Sequence, residues 1–323
     1  MRVLITGGAG FIGSALARRL AGDGHEVRVL DDMSRGSARR LDGTGTEVIH
    51  GDVRDAAAVA AAMQGCDQVA HLAYMQGTQT FYAEPRAVLD VALRGMLAVL
   101  GACQATGCAD LLLVSSSEAY QVAPEVPTPE TVPLTVPDPL NMRYSYGGGK
   151  IACELMALAW ERAGVLDRAV IARPHNIYGP DMGREHVIPE FCLRMNALTR
   201  EQPEGLIEFP IQGTGQETRS FCWIGDCTAQ LALLISRGLT GIYNVGTMEE
   251  RTITEVAHAV AACYGREIKV IPGTLPAGSP PRRLPALAKI RELASLRGRS
   301  TGLHVTPFEE GLAQTAAWYR SDG

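Results

Sequence analysis

Short apolar runs alternate with longer amphipathic stretches through the first half of the chain. The apolar runs are rich in Val, Ile and Leu, which favours strands, and they occupy residues 2–6, 26–30, 47–50, 68–72, 111–115 and 169–173. Stretches with helical periodicity separate them, at residues 14–20, 56–63, 85–105 and 145–160. Strands that alternate with helices across short loops are typical of βαβ units. The pattern therefore predicts an α/β protein built on a parallel sheet.

The alternation is interrupted in two places. Residues 121–141 are rich in proline, which excludes regular ladders and helix interiors, so we expect an ordered loop there rather than a linker between domains. After residue 180 the helices and strands follow a less regular order. We therefore predict a main domain over residues 1–175 and a smaller C-terminal α/β lobe over residues 176–323, with parts of 210–250 packing back on the main domain.

A glycine-rich turn at residues 7–13 follows the first predicted strand and precedes a predicted helix. Such a turn lets the backbone approach a pyrophosphate and points the N-terminus of the helix at the negative charge. The alternative is a βα turn without a ligand, but the acidic pair Asp31 and Asp32 follows, as a dinucleotide site requires. The sequence therefore predicts a Rossmann-type, doubly wound sheet that binds a dinucleotide. The turn residues expected to contact it are Gly7, Gly10, Phe11, Ile12 and Gly13.

The residue at the end of the second predicted strand bears on which dinucleotide is bound. A carboxylate at Asp31 can accept hydrogen bonds from ribose hydroxyls and would repel a 2′-phosphate, so we predict NAD rather than NADP. Arg35 and Arg39 follow closely and could offset that repulsion. We place Asp32, Ser34 and Arg35 on the cofactor side as well, although Asp32 could equally be a solvated loop acid.

The residues after the third predicted strand suggest an adenine contact. Asp52 and Val53 could present a carboxylate and an amide to the adenine edge. Alternatively Asp52 caps the helix predicted at residues 56–63, a role that Asp55 could supply equally well. We include Asp52 and Val53 in the predicted NAD site.

Tyr146 and Lys150 lie four residues apart in a predicted helix, so they share one face. A lysine charge beside a phenol, next to a positive nicotinamide, lowers the pKa of the phenol, and the phenolate can then act as a base toward a hydroxyl. The three glycines between them cost roughly 1 kcal/mol each in a helix relative to alanine, so we expect a ligand or another backbone to approach closely there. We predict that both residues serve catalysis and contact the cofactor.

Polar residues follow the fifth predicted strand at the same carboxyl edge. Ser116 could hydrogen-bond to the reacting hydroxyl, and Glu118 could shuttle a proton at a neighbouring carbon. Alternatively the serines cap the strand end and Glu118 is a solvated acid. We predict that Ser116 and Glu118 join Tyr146 and Lys150 in the catalytic set and that Ser117 contacts substrate.

Composition narrows the class of protein. The 323 residues carry a formal net charge of −5 and are 46% hydrophobic, as in ordinary globular proteins, and mild acidity argues against nucleic acid as a partner. We find no apolar run long enough to cross a bilayer, and the first strand leaves no room for a signal peptide. The eight cysteines include no CxxC pair, so we expect reduced cysteines and no metal site. These features predict a cytoplasmic protein without a membrane span.

Together the motifs resemble those of the extended short-chain dehydrogenase/reductases that act on nucleotide sugars. The resemblance covers nearly the whole chain and rests on the glycine turn, residues 51–53, 71–73 and 115–117, Tyr146 with Lys150, and residues 173–180 and 216–221. It implies a tightly held NAD that oxidises a nucleotide-diphosphate sugar, usually at C4, and then reduces the keto intermediate. It also implies cofactor contacts from Leu72 and Ala73, and substrate diphosphate contacts from Asn176, Arg219 and Arg282. Arg219 could alternatively be a surface arginine beside a core aromatic residue.

Departures from the family pattern leave the reaction open. Simple C4 epimerases usually carry a small or neutral residue where Glu118 stands. The 4,6-dehydratases have Thr-Asp-Glu and the UDP-glucuronate decarboxylases Thr-Ser-Glu, where this chain has Ser116, Ser117 and Glu118. A similarity to GDP-mannose 3,5-epimerase places Glu118 and His186 at its acid/base positions. His186 falls equally where C4 epimerases contact phosphate, so we assign His186 and Val187 to substrate binding.

The leading prediction is an NAD-dependent nucleotide-sugar epimerase acting at C4 through a transient 4-keto sugar. Dehydration or decarboxylation with Glu118 as the base is one alternative, and C3/C5 epimerisation with Glu118 and His186 is another. A non-catalytic dinucleotide-binding protein would have no reason to keep Ser116, Tyr146 and Lys150 together. The resemblance also implies a homodimer formed by the helices at about residues 85–105 and 145–162.

Overall fold

The computed structural model describes residues 1–235, 238–275, 278–296 and 303–322. The chain divides into two compact units. Unit 1 comprises Met1–Gln121, Pro133–Pro174 and Thr228–Val245, and unit 2 comprises Val122–Val132, His175–Cys227 and Gly246–Gly323. The grouping differs from the predicted main domain in that Val122–Val132 belongs to unit 2, because its Thr128 is hydrogen-bonded to Leu284 and Ala286.

The elements predicted for the first half occur where the pattern places them, with ends displaced by a few residues. Up to residue 174 the structure has β1 (Arg2–Thr6), α1 (Phe11–Gly22), β2 (Glu26–Asp31), β3 (Glu47–His50), α2 (Ala56–Met63), β4 (Gln68–His71), α3 (Thr78–Ala83), α4 (Pro85–Thr106), β5 (Asp110–Val114), α5 (Tyr144–Arg162) and β6 (Arg168–Pro174), of which α3 was not predicted. Short 3₁₀ helices lie at Ala38–Leu41 and Ser117–Tyr120.

The remaining elements include several strands of only two or three residues and follow a less regular order. They are β7 (Ile177–Tyr178), α6 (Val187–Glu201), β8 (Ile207–Pro210), β9 (Thr218–Ser220), β10 (Cys222–Trp223), α7 (Ile224–Ile235), β11 (Gly241–Val245), β12 (Glu250–Thr252), α8 (Ile253–Cys263), β13 (Ile268–Ile271), β14 (Arg282–Arg283), α9 (Ala288–Leu296) and α10 (Phe308–Asp322). In unit 2 they form three small sheets, with strand orders β10-β7, β12-β9-β14 and β13-β8.

Unit 1 is built on a seven-stranded sheet with the order β11-β6-β5-β4-β1-β2-β3. Every pairing in it is parallel. Strands β4 and β6 are buried along their whole length, as expected for a parallel sheet covered on both faces. The register sets Thr6 beside Leu30 and His71, so the turns after these strands share the carboxyl edge where ligands bind in open α/β sheets.

Helix α4 supplies much of the core of unit 1. Its buried face includes Ala92, Met96, Val99 and Cys103. By length and composition α4 could cross a membrane, contrary to our expectation that no run is long enough, but half of the apolar stretch is buried inside the protein. The core packing of unit 1 therefore accounts for its apolar length. All eight cysteines of the chain are free in the structure.

Candidate active site

The glycine turn between β1 and α1 is shaped by close backbone approach. Gly7 has φ of +70°, and a Cβ there would lie 2.7 Å from the backbone of Ala73. A Cβ on Gly13 would lie 2.2 Å from the carbonyl oxygen of Gly7. Gly10 is less confined, since a Cβ there would lie 3.3 Å from the Gly7 carbonyl oxygen, and no other nearby segment of the described residues comes within 4 Å of it. Side chains at 7 and 13 would therefore disrupt the turn, whereas Gly10 leaves space for a ligand.

Within the described part of the chain, the first turn of α1 has backbone amides that no capping side chain occupies. The first amides of any helix have no intrahelical partner. Gly10 occupies the N-cap position and makes no side-chain capping hydrogen bond, so Phe11, Ile12 and Gly13 open the helix with uncapped amides. These amides and the helix dipole fit the pyrophosphate of NAD.

Asp31 joins the glycine turn to the end of β2. Its side chain is 7% exposed, and its two carboxylate oxygens accept hydrogen bonds from the amides of Ala9 and Met33, each at 2.9 Å. Each oxygen keeps a second lone pair, which could accept a ribose hydroxyl. Asp32 instead accepts hydrogen bonds from the amide and hydroxyl of Ser34 at 3.0 and 2.6 Å on an exposed loop. Arg35 is exposed beside them.

The capping alternative for Asp52 is excluded. Asp55 is the N-cap of α2 and accepts hydrogen bonds from the amides of Ala57 and Ala58. The Asp52 carboxylate is held instead by the Arg54 guanidinium, with a closest distance of 2.6 Å. Hydrogen bonds from Arg54 lower the pKa of Asp52 below its usual range. Asp52 is thus an ionised acceptor directly before the buried Val53, and its adenine contact stays a prediction.

Replacing Gly13 with alanine should weaken NAD binding by about tenfold or more, because the new Cβ must displace the Gly7 carbonyl, 2.2 Å away. Titration of the purified apoprotein with NAD, followed by calorimetry, measures the effect. Gly22→Ala on the same helix is the matched control, since a Cβ there meets nothing within 4 Å. Equal affinity in Gly13→Ala and Gly22→Ala would contradict the assignment of the turn.

Tyr146 and Lys150 are both buried on α5, at 5% and 4% exposure. The Lys150 ammonium lies 5.8 Å from the centroid of the Tyr146 ring, so the two side chains share a face as their spacing predicts. The Tyr146 ring stacks on Phe81 with centroids 4.7 Å apart and meets Tyr74 edge-on at 4.9 Å. Lys150 Nζ donates to the carbonyl oxygen of Val114 at 2.8 Å.

Burial sets the protonation of the groups around Lys150. It lowers the pKa of Lys150 to about 8, while Cys153 and Glu154 act in the opposite direction. Burial, reinforced by the Lys150 charge, lowers the pKa of His71 to about 3. His71 is therefore neutral near neutral pH, with Nδ1 2.7 Å from the Thr6 hydroxyl. The positive charge beside Tyr146 thus comes from Lys150.

The glycines between Tyr146 and Lys150 make room for neighbouring groups of the chain itself. A Cβ on Gly147 would lie 1.9 Å from Gln121 Nε2 and 2.7 Å from the carbonyl oxygen of Glu118. A Cβ on Gly149 would lie 2.2 Å from the Tyr74 hydroxyl. Close approach by other segments, which we expected on energetic grounds, therefore accounts for two of the three glycines.

Ser116 occupies the N-cap of the 3₁₀ helix Ser117–Tyr120, so the capping alternative for the serines does occur. Its hydroxyl oxygen accepts a hydrogen bond from the amide of Glu118 at 3.1 Å. Because the oxygen is the acceptor, the hydroxyl proton remains available as a donor. Ser117 is 3% exposed, whereas Glu118 is half-buried at the start of this helix. Capping and a catalytic hydrogen bond are thus compatible at Ser116.

A buried polar network, which the sequence patterns did not predict, lies near these residues. Arg173 and Glu154, 2% and 3% exposed, form an ion pair with two contacts of 2.6 and 3.0 Å. Ser115 donates to the same carboxylate. Arg173 also lies over the Tyr120 ring at 4.6 Å, and Tyr120 donates to Asn244 at 2.8 Å. The network ties together β6, β11, α5 and the segment that follows β5, at the carboxyl edge of the sheet.

Unit 2 contains the residues that the resemblance assigned to substrate. Asn176 Nδ2 donates to the Ser220 carbonyl oxygen at 2.9 Å. Arg219 donates to the carbonyl oxygens of Thr218 and Pro280 at 2.7 and 2.8 Å, on β9 and the segment before β14. Arg282, on β14, forms a two-contact ion pair with Glu250 at 2.7 and 2.8 Å.

The hydrogen bonds that these arginines make within the protein limit which of them could bind a diphosphate. The Arg282 guanidinium already has a carboxylate partner, Glu250, and its hydrogen bonds lower the pKa of Glu250. A diphosphate bound at Arg282 would therefore compete with Glu250. Arg219 is half-buried, and its guanidinium already donates hydrogen bonds to backbone carbonyl oxygens. His186 is the N-cap of α6 without a side-chain capping bond, and Val187 begins that helix. Their substrate contacts stay predictions.

Fold and site together define an NAD-dependent enzyme family. The chain matches the NAD dependent epimerase/dehydratase family over residues 3–246 and belongs to it. It is 31% identical over 328 residues to UDP-glucuronic acid decarboxylase 1 of Xenopus tropicalis, covering 99% of this chain and 72% of that protein.

Solved structures that resemble the chain are enzymes of the same family. The chain is similar to a Thermus thermophilus UDP-glucose 4-epimerase in complex with NAD, with a TM-score of 0.84, 28% identity and 100% of both chains covered. It is also similar to a Streptomyces venezuelae dTDP-glucose 4,6-dehydratase with NAD bound, at 0.84 and 28%, covering 100% and 98% of the two chains. The predicted fold and the NAD cofactor are confirmed. The protein belongs among the nucleotide-sugar epimerases, dehydratases and decarboxylases.

Proposed function

We propose that the protein oxidises a nucleotide-diphosphate sugar at C4 and then reduces the 4-keto sugar again, with inversion at C4 as the net reaction. The observation that carries this proposal is the pair of Tyr146 and Lys150, both buried, at the carboxyl edge of a dinucleotide-binding sheet. A phenol with a cation fixed beside it is suited to remove a proton from an alcohol near neutral pH.

Each residue of the pair has a defined task in this mechanism. Tyr146 accepts the proton of the C4 hydroxyl as the C4–H bond breaks. The chemistry that bound NAD supplies is acceptance of that hydride and its return to the keto carbon. Lys150 keeps the phenol acidic, and the Ser116 hydroxyl donates a hydrogen bond to the same C4 oxygen. Tyr146 gives the proton back when the keto group is reduced, so no net proton is consumed.

A decarboxylase is the second candidate, favoured by Glu118. A sugar with a carboxylate on C5 becomes a β-keto acid once C4 is oxidised, and such acids lose carbon dioxide readily. The enol that remains needs a proton at C5, which the half-buried carboxyl of Glu118, two residues from Ser116, is suited to deliver. Similarity to UDP-glucuronic acid decarboxylase 1 supports this candidate.

Mass spectrometry in deuterated water separates the reactions. Holoenzyme is incubated with UDP-glucose, dTDP-glucose and UDP-glucuronate, and the products are resolved by chromatography. A new isomer without deuterium supports C4 epimerisation, because the same hydride returns. Loss of carbon dioxide supports the decarboxylase and loss of water a dehydratase. A new isomer that carries deuterium indicates C3/C5 chemistry and makes Glu118 and His186 the first residues to replace.

We also propose a homodimer formed through α4 and α5. These helices pack side by side in unit 1, and they leave Leu97 and Leu155 51% and 64% exposed. Burying such side chains against a second copy removes apolar surface from water.

Replacing Leu155 with glutamate should therefore convert the dimer to a monomer in sedimentation velocity, because a charge would be buried in the interface. Leu140→Glu is the matched control, since Leu140 is 87% exposed and lies outside both helices. A wild-type protein that sediments as a monomer at micromolar concentration would defeat the proposal.

A further inference from the structure

Tyr74 is joined to the Tyr146 and Lys150 pair by several contacts. The Lys150 ammonium lies 4.0 Å from the centroid of the Tyr74 ring, closer than it lies to the Tyr146 ring. The Tyr74 hydroxyl donates to the carbonyl oxygen of Tyr146 at 3.2 Å. Gly149 is what lets this hydroxyl pass so near the helix, since a Cβ there would clash with it.

The Lys150 ammonium has little other compensation for its burial. Within the part of the chain that the structure describes, it forms no salt bridge. Glu154, one turn further along α5, is held by Arg173. Cys153 is a neutral thiol, because burial raises its pKa to about 11, and His71 is a neutral imidazole. The close partners of the cation are therefore the Val114 carbonyl and the π face of Tyr74.

We propose that Tyr74 is a positioning residue that keeps Lys150 protonated and fixed beside Tyr146. Attraction between a cation and an aromatic face strengthens as water is excluded, and here the Lys150 ammonium is buried while the Tyr74 ring is half-buried. The inference rests on the proposed role of Tyr146 as the base. It assigns the ring of Tyr74, rather than its hydroxyl, to the electrostatics of the site, since burial raises the pKa of Tyr74 and keeps that phenol neutral.

The test compares Tyr74→Leu, which removes the ring, with Tyr74→Phe, which keeps it. With the lysine pKa starting at about 8, loss of the ring lowers it further, so the cation is lost at lower pH. The alkaline limb of kcat/KM should move down by about one pH unit in Tyr74→Leu. Near pH 8 this variant should retain about a fifth of the wild-type value. Tyr74→Phe should keep the wild-type limb.

The neighbouring groups do not account for an alkaline limb near pH 8. The pKa values of Cys153 and His71 lie far from 8, and the Glu154 carboxylate is held in its ion pair with Arg173. The limb therefore belongs to Tyr146 and Lys150.

A second readout does not depend on any substrate. Near-ultraviolet absorbance of tyrosinate is titrated in NAD-loaded protein, and subtraction of the matching Tyr146→Phe protein isolates Tyr146. Tyr146 should ionise at higher pH in Tyr74→Leu than in wild type or Tyr74→Phe. If no nucleotide sugar is turned over, the proposed function fails while this titration still decides the role of Tyr74.

Two further variants serve as controls. Tyr74→Met is a second variant without a ring, used if the leucine protein does not fold. Phe81→Leu removes the other ring stacked on Tyr146 without touching Lys150 and should not move the alkaline limb. Identical limbs in Tyr74→Leu, Tyr74→Met and wild type would overturn the proposal. So would an equal shift in Tyr74→Phe, since the hydroxyl would then be responsible.

Discussion

Replacing Tyr146 with phenylalanine should lower kcat for the nucleotide sugar by about 10²–10⁴-fold, the usual contribution of a positioned general base. The substitution removes the hydroxyl and keeps the ring, so the stacking on Phe81 and the edge contact with Tyr74 persist. KM should change little, because the interaction is made mainly in the transition state. Steady-state kinetics with the substrate identified by mass spectrometry measures both constants.

Tyr144→Phe is the matched control for this prediction. Tyr144 begins the same helix and is similarly buried, at 8% exposure against 5% for Tyr146, but it takes no part in the proposed chemistry. Its variant should keep kcat within about twofold. Full turnover in Tyr146→Phe, with NAD still bound, would show that another group removes the proton.

Replacing either partner of the Glu154–Arg173 ion pair should reduce the free energy of unfolding by about 3–5 kcal/mol. Both side chains are almost fully buried, so removal of one leaves an uncompensated charge away from water. Glu154→Leu also leaves the Ser115 hydroxyl without its acceptor. Urea unfolding of Glu154→Leu and Arg173→Met measures the loss.

The double variant separates this cause from a loss of packing. Two apolar side chains leave no unpaired charge, so Glu154→Leu with Arg173→Met should be more stable than either single variant. Glu208→Ala is the surface control, because the Glu208–Lys269 pair is exposed on both sides and should cost less than about 1 kcal/mol. Additive losses in the double variant would contradict the explanation.

The sheet, the glycine turn and the spacing of Tyr146 and Lys150 could be predicted because each depends on local periodicity. An apolar run of strand length predicts a strand, and two residues at i and i+4 share one face of a helix, whatever the rest of the chain does. Asp31 also lies where the order of elements places it, at the end of β2. These predictions needed no knowledge of distant contacts.

The supporting residues could not be predicted in the same way. Tyr74 reaches α5 across 72 residues of sequence, and Arg173 meets Glu154 across 19. Gln121 adopts φ of 52°, and its buried Nε2 has no hydrogen-bond partner among the residues that the structure describes. Nothing in the neighbouring sequence predicts that strained position. Glu154 lies four residues after Lys150 on the predicted helix, and this acidic residue one turn from the lysine was the only sign in the sequence of a buried charge network. The ion pair of Arg282 was missed because its partner Glu250 lies on another strand.

The position of β11 has a consequence for how the protein is made. This strand pairs with β6 at the edge of the sheet, yet β6 ends at Pro174 and β11 begins at Gly241. During synthesis from the N-terminus, one edge of β6 stays unpaired while the unit 2 segment His175–Cys227 is translated, although β6 is buried along its whole length in the finished fold. Such an edge recruits other strands. An expression fragment that stops at residue 175 should therefore aggregate, and a usable cofactor-binding fragment has to include residues 228–245.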